Sequence, residues 1–123
     1  MILVRLYISI YNTDLIYGEI NGAYKAMKRL YNISEKGRSS IYEGLKKFAE
    51  INLNALEGKI SISQAKKELE ELSKSHPEIF LIDREGTGSV EKSLKGYMHR
   101  LEYSINRYDI KYPYFNMQRC DDL

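Results

Sequence analysis

One cysteine, two prolines and no tryptophan occur in 123 residues. Each scarcity excludes something. With Cys120 alone, an internal disulfide is impossible and no cysteine pair exists for a zinc site. Such usage fits a reducing compartment, so a cytoplasmic protein is expected. Histidine is also scarce. His76 and His99 are the only two, and the nearest metal-like pair, His99 with Glu102, would need carboxylates from elsewhere in the chain. No metal, cofactor or catalytic residue is expected. Long apolar runs are missing as well, since nothing approaches the roughly 18 residues of a membrane span. The opening stretch MILVRLYISIYNTD holds Arg5 and lacks a small-residue cleavage site, so it reads as folded structure rather than a leader.

Tyrosine, by contrast, is abundant: eleven Tyr stand beside three Phe. Its broad ring, few rotatable bonds and polar tip suit interfaces. A chain rich in Ile, Lys, Asn and Tyr throughout would carry the same excess by composition alone. The length is that of one domain, residues 1–123. Its tail, 110–123, has no clear period and is expected to pack on the domain or on a neighbouring subunit.

The apolar periods predict a mainly α protein, a compact bundle of four helices at about 14–32, 39–57, 62–75 and 89–108. One or two short strands, about 2–10 and 79–83, complete it. Ile2, Val4, Leu6, Ile8 and Ile10 share one parity, which fits a strand. Asn12, Thr13 and Asp14 then offer cap chemistry for the first helix. The segment 32–37 reads as a turn in which Asn32 and Gly37 tolerate positive φ. Ile41, Leu45, Phe48, Ala49, Leu53 and Leu56 make a stripe along the second helix, with Gly58 as its stop. Ser61 and Gln64 form a capping-box pattern ahead of Ala65, Leu69 and Leu72. His76-Pro77 ends that helix, and Ile79–Asp83 reads as a buried strand paired with 2–10. Val90, Leu94, Tyr97, Met98, Leu101, Ile105 and Tyr108 line one face of the last helix.

Charge is unevenly spread. Between Tyr24 and Phe48, seven cations face only Glu35 and Glu43, a local +5 in a chain of net +2. A basic balance on one helix pair is the electrostatic footprint of a nucleic-acid contact. The stretch KAMKRLYNIS…RSSIYEGLKKF resembles the helix-turn-helix DNA-binding pattern common in bacteria and archaea: a helix with Ala, a turn ending in Ile-Ser, then Ser-x-Ile-Tyr-x-x-Leu-x-x-Phe. The resemblance implies a second helix in the major groove. Lys36, Arg38, Lys46 and Lys47 would then reach phosphates, while Ser39, Ser40 and Glu43 meet base edges. Here the turn is about three residues longer than in the compact motif, and Asn32 stands where glycine is customary. Glu43 and Glu50 also sit on the outward face. A winged version would use strand 79–83 and the turn Arg84–Gly88.

Other patterns carry less. Gly86-Thr-Gly88-Ser89 lacks the spacing of a phosphate-binding loop. Ser63-x-x-Lys66, Ser89-x-x-Lys92 and Tyr42-x-x-x-Lys46 lack the companion motifs of the enzymes they echo. The reading is therefore a small, dimeric DNA-binding regulator of the kind mobile elements or viruses encode, with duplex DNA as its partner. The alternative is a non-enzymatic protein-binding inhibitor or adaptor acting on a host enzyme or defence complex. It would use Tyr97, Tyr103, Tyr108, Tyr112, Tyr114 and Phe115.

Overall fold

The computed structural model describes residues 2–82 and 89–107. They form α1 (Ile2–Ile16), α2 (Ile20–Lys36), α3 (Ser40–Leu56), α4 (Ile62–Ser75) and α5 (Val90–Arg107), with a 3₁₀ turn at Pro77–Leu81 before α5. The mainly α class holds. The four-helix count and both strands do not, because five helices and no strand occur among the described residues.

The N-terminal segment is helical because its apolar residues also satisfy a helical period. Val4, Ile8, Tyr11 and Leu15 recur at spacings of four, three and four and are all buried. Asn12, Thr13 and Asp14 do not cap a following helix; they form the last turns of α1. What ends α1 is Gly18. Its φ of 81° opens a left-handed turn in which Glu19 N–H donates to Asp14 O at 2.8 Å and Gly18 N–H to Leu15 O at 3.4 Å. That is the Schellman pattern. The end of α3 repeats it at Gly58, φ 76°, with Lys59 N–H on Asn54 O at 2.9 Å and Gly58 N–H on Ala55 O at 3.2 Å. Replacing Gly58 by alanine is expected to cost about 1–2 kcal/mol, the left-handed penalty for a side chain. A urea midpoint unchanged by that substitution would contradict it.

Shifting the first long helix moves the following turn. Residues 32–36 are helical, and Gly37 has φ −85°, so neither Asn32 nor Gly37 serves as a positive-φ position. Gly37 is required for space instead: a Cβ there would lie 2.1 Å from the Tyr42 ring. The expected strand at 79–83 fails for a related reason. Without a strand at 2–10 it has no partner, and Pro77 begins a 3₁₀ turn that buries Ile79 and Phe80. Residues 83–88, including the candidate wing, lie outside the described residues. So does the tail 110–123.

Consecutive helices pack side by side, and α1 meets α5 to close the ring. Ser104 seals that closure by donating its hydroxyl to Leu15 O, 2.9 Å, with both residues fully buried. Phe48 of α3, Phe80 of the 3₁₀ turn and Tyr97 of α5 meet edge to face, with centroids 5.0–6.1 Å apart. α4 begins and ends as the sequence implies. Ser61 Oγ accepts from Gln64 N–H at 3.0 Å, although the Gln64 side chain turns to Glu68 at 2.8 Å instead of closing the box.

Candidate functional site: the α2 face and the α2–α3 corner

How α2 and α3 meet decides what their charges can do. Tyr24, near the start of α2, donates to Glu57 just past the end of α3. Lys46, in the first half of α3, lies 3.9 Å from Glu35 and 5.7 Å from the Tyr31 ring, both near the end of α2. Contacts at both ends make the two helices an antiparallel hairpin, in contact along their length. In helix-turn-helix domains the two helices cross at roughly 90–120°, and residues so far from the turn would stand well apart.

The hairpin divides the seven residues that the sequence nominates. Lys36, Arg38, Ser39 and Ser40 are exposed together at the corner, where α2 ends and α3 begins. Ser39 is the N-cap by position, though its side chain makes no capping bond. Tyr42 N–H and Glu43 N–H close back on Ser39 O at 3.1 and 3.4 Å, which leaves the amides of Ser40 and Ile41 without a partner inside the helix, beside two cations. Lys46 leans back onto α2. Lys47 turns the other way, onto a groove of about 480 Å³ between α3 and α4 whose lining includes Glu50, Glu68 and Glu71. Glu43 sits 4.0 Å from Lys47 and 3.9 Å from His76 Nε2, so its carboxylate already faces one cation and one imidazole. The lysine–glutamate pairs are solvent-exposed, and such pairs contribute about 0–1 kcal/mol.

A second group of cations was visible in the sequence only as a sum. At 100° per residue, the core face of α2 is Ala23, Met27, Leu30 and Ser34. The opposite face then collects Asn21, Lys25, Lys28, Arg29, Asn32 and Lys36, with no acid among them. From Lys25 to Lys36 this row runs about 17 Å at 1.5 Å per residue, and Arg38 extends it around the corner. Among the described residues, no ion pair engages Lys28, Arg29, Lys36 or Arg38. Glu35, the one acid in the second half of α2, is turned toward α3 and held near Lys46. The expected helix at 14–32 has the same inward face, but α2 starts at Ile20 after the Gly18 turn and runs on to Lys36, which adds Lys36 to the outer row.

The aromatic candidates also separate. Tyr97 is 2% exposed and belongs to the core, packed under Arg100 at 4.8 Å, so it is withdrawn as a partner contact. Tyr103 is exposed and stacks on His99 with centroids 6.2 Å apart. Tyr108, Tyr112, Tyr114 and Phe115 lie outside the described residues. No cluster of three metal-binding side chains occurs among the described residues, and no described helix is long and apolar enough to cross a membrane.

Fold and site together define a small helical module with one cationic, acid-free helix face. Compared with known proteins, the chain matches no family model, no curated protein and no solved structure.

Proposed function

We propose that the protein binds nucleic acid through phosphate contacts, using the outer face of α2 and the α2–α3 corner. The observation that carries this reading is the row Lys25, Lys28, Arg29 and Lys36, flanked by Asn21 and Asn32 and continued by Arg38, without an interposed acid. Cations along one helix neutralise successive phosphates, and asparagine amides donate to the oxygens between them. The amides of Ser40 and Ile41 at the start of α3 add to an anion site that Lys36 and Arg38 flank. Tyr31 and Tyr42 beside this surface are half-buried, the first under Lys46 and the second against Gly37, so neither offers a free ring face for a base to stack upon. That favours duplex DNA over a single strand, with little dependence on sequence. Regulation of transcription or replication, as mobile elements and viruses require, is the role such an activity would serve.

The test is fluorescence anisotropy with a random duplex of about 20 base pairs over a salt series. About four neutralised phosphates, at Lys28, Arg29, Lys36 and Arg38, give a slope near −3.6 in log K against log salt, a loss of about 10²-fold between 50 and 200 mM. Changing Lys28, Arg29 and Arg38 together to alanine is expected to reduce that slope by about 3. Lys47→Ala is expected to leave it nearly unchanged, because Lys47 faces the acidic groove. Absence of duplex binding at about 50 mM salt ends the proposal. A loss at Lys47 as large as that from the α2 set would move the site to α3.

A second reading, a protein-binding inhibitor or adaptor, draws on the groove between α3 and α4. Glu50, Glu68 and Glu71 line it together with Ile51 and Leu72, a chemistry that complements a basic segment with apolar anchors. Its mark would be a stoichiometric partner retained after nuclease treatment.

A further inference from the structure

α1 is apolar on two sides. Its inner face, Val4, Ile8, Tyr11 and Leu15, is buried in the core. At 100° per residue the opposite face gathers Ile2, Leu3, Leu6, Ile10, Thr13 and Tyr17. Exposure is 84% at Ile2, 54% at Leu3, 48% at Leu6 and 75% at Tyr17. Tyr17 N–H still donates to Thr13 O, 3.1 Å, so the helical path extends through it. The only charges in α1, Arg5 and Asp14, fall at the two edges of this face rather than within it. A helix apolar all round belongs in an interior. Here one side has no interior within the chain's described residues.

We propose that this face is the interface of a homodimer, with α1 of one protomer packed along α1 of a second copy. Three observations select that occupant. Leu3, Leu6, Ile10, Thr13 and Tyr17 recur at spacings of three, four, three and four, the seam by which one helix seats its side chains between those of another. α1 is itself a helix bearing that seam. Next, the face is neutral, so a two-fold axis through it opposes no like charges. Finally, the exposed side chains amount to roughly 500–700 Å² per protomer, near the about 600 Å² per side of the smallest stable interfaces. The residues beyond Arg107 suit it less well, since Asp109, Lys111, Arg119, Asp121 and Asp122 find no answering charge there. A membrane surface is disfavoured too: interfacial helices carry several flanking cations, and α1 has only Arg5.

Buried neutral surface is insensitive to salt, unlike phosphate contacts, so the dimer and the nucleic-acid site respond differently to one variable. Sedimentation and light scattering of the full chain, from about 1 to 100 µM and at low and high salt, test the proposal. The expected mass is twice 14.4 kDa at the upper concentrations, at both salts. Leu6→Asp lies at the middle of the face and on its solvent side, so helix content should not change. Because a two-fold interface counts each substitution twice, the dissociation constant should rise by about 100-fold or more. Ile2→Asp is expected to act in the same direction, and Lys67→Asp, on α4, to have no effect. A wild-type chain that stays at 14.4 kDa throughout overturns the proposal. So does a dimer indifferent to Leu6→Asp, or adsorption of the wild type to lipid vesicles in place of self-association.

Discussion

Replacing Phe48 by alanine is expected to lower the unfolding free energy by about 3–5 kcal/mol. Phe48 is fully buried in α3 and meets two rings at once, Phe80 at 6.1 Å and 88°, and Tyr97 at 5.0 Å and 76°. Truncation removes the ring's transfer free energy and leaves a cavity between three elements that cannot close in together. It also strips the 3₁₀ turn and α5 of their shared contact with α3. Against the roughly 5–15 kcal/mol that holds a domain folded, that is a large fraction. Phe48→Leu should cost distinctly less, because most of the volume is kept. Urea unfolding monitored by helix content measures both. Equal losses for the two variants would contradict the volume argument and assign the cost to the ring-to-ring contacts themselves.

The second large effect is expected at the buried hydrogen-bond chain linking α1 to α3. Tyr11 donates its phenol to Asn52 Oδ1 at 2.7 Å, and Asn52 Nδ2 donates to Phe48 O at 2.8 Å. Tyr11→Phe leaves the Asn52 oxygen buried without that donor, at a cost of about 1–3 kcal/mol. Adding Asn52→Leu to it should recover part of the loss, since an apolar pair leaves no polar atom stranded. Burial also pushes the Tyr11 phenol well above its ordinary range, opposed only in part by the Arg100 charge. The folded state therefore keeps a proton that the unfolded chain releases near pH 10. Stability from this group is whole below about pH 10 and is lost as the pH climbs above it. Wild type should thus show a steeper alkaline loss of stability than Tyr11→Phe. Parallel alkaline limbs would sink the assignment.

The elements that the sequence declared were those with local punctuation. Ser61, Gln64 and Gly58 mark boundaries by backbone chemistry alone, and α4 begins and ends where they and Pro77 imply. The N-terminal segment gave no such clarity. When both faces of a segment are apolar, a period of two and a period of 3.6 fit equally well. Ile2, Leu3 and Leu6 face solvent and still obscure the helical stripe of Val4, Ile8 and Tyr11. Asn12, Thr13 and Asp14 compounded the error by imitating a cap inside a helix, while Gly18 passed unused. For the candidate site, the charge sum over 24–48 was legible but its orientation was not. Whether Lys36 joins the face of Lys28 and Arg29 depends on α2 continuing through 33–36, where a turn was expected. That Lys46 and Lys47 diverge to opposite neighbours depends on α2 and α4 both lying against α3.

The contact between Leu15 and Ser104 joins residues 89 positions apart, so it forms only after most of α5 has been made. Hairpins such as α1–α2 and α2–α3 can form as each helix emerges, since their contacts are local. Only the part of α1 that α5 covers, around Leu15, must wait for α5. Until then that end of the inner face stays uncovered beside the apolar outer face, a state prone to misassociation and suited to chaperone capture. A ribosome stalled before α5 would leave that liability in place for as long as the pause lasts.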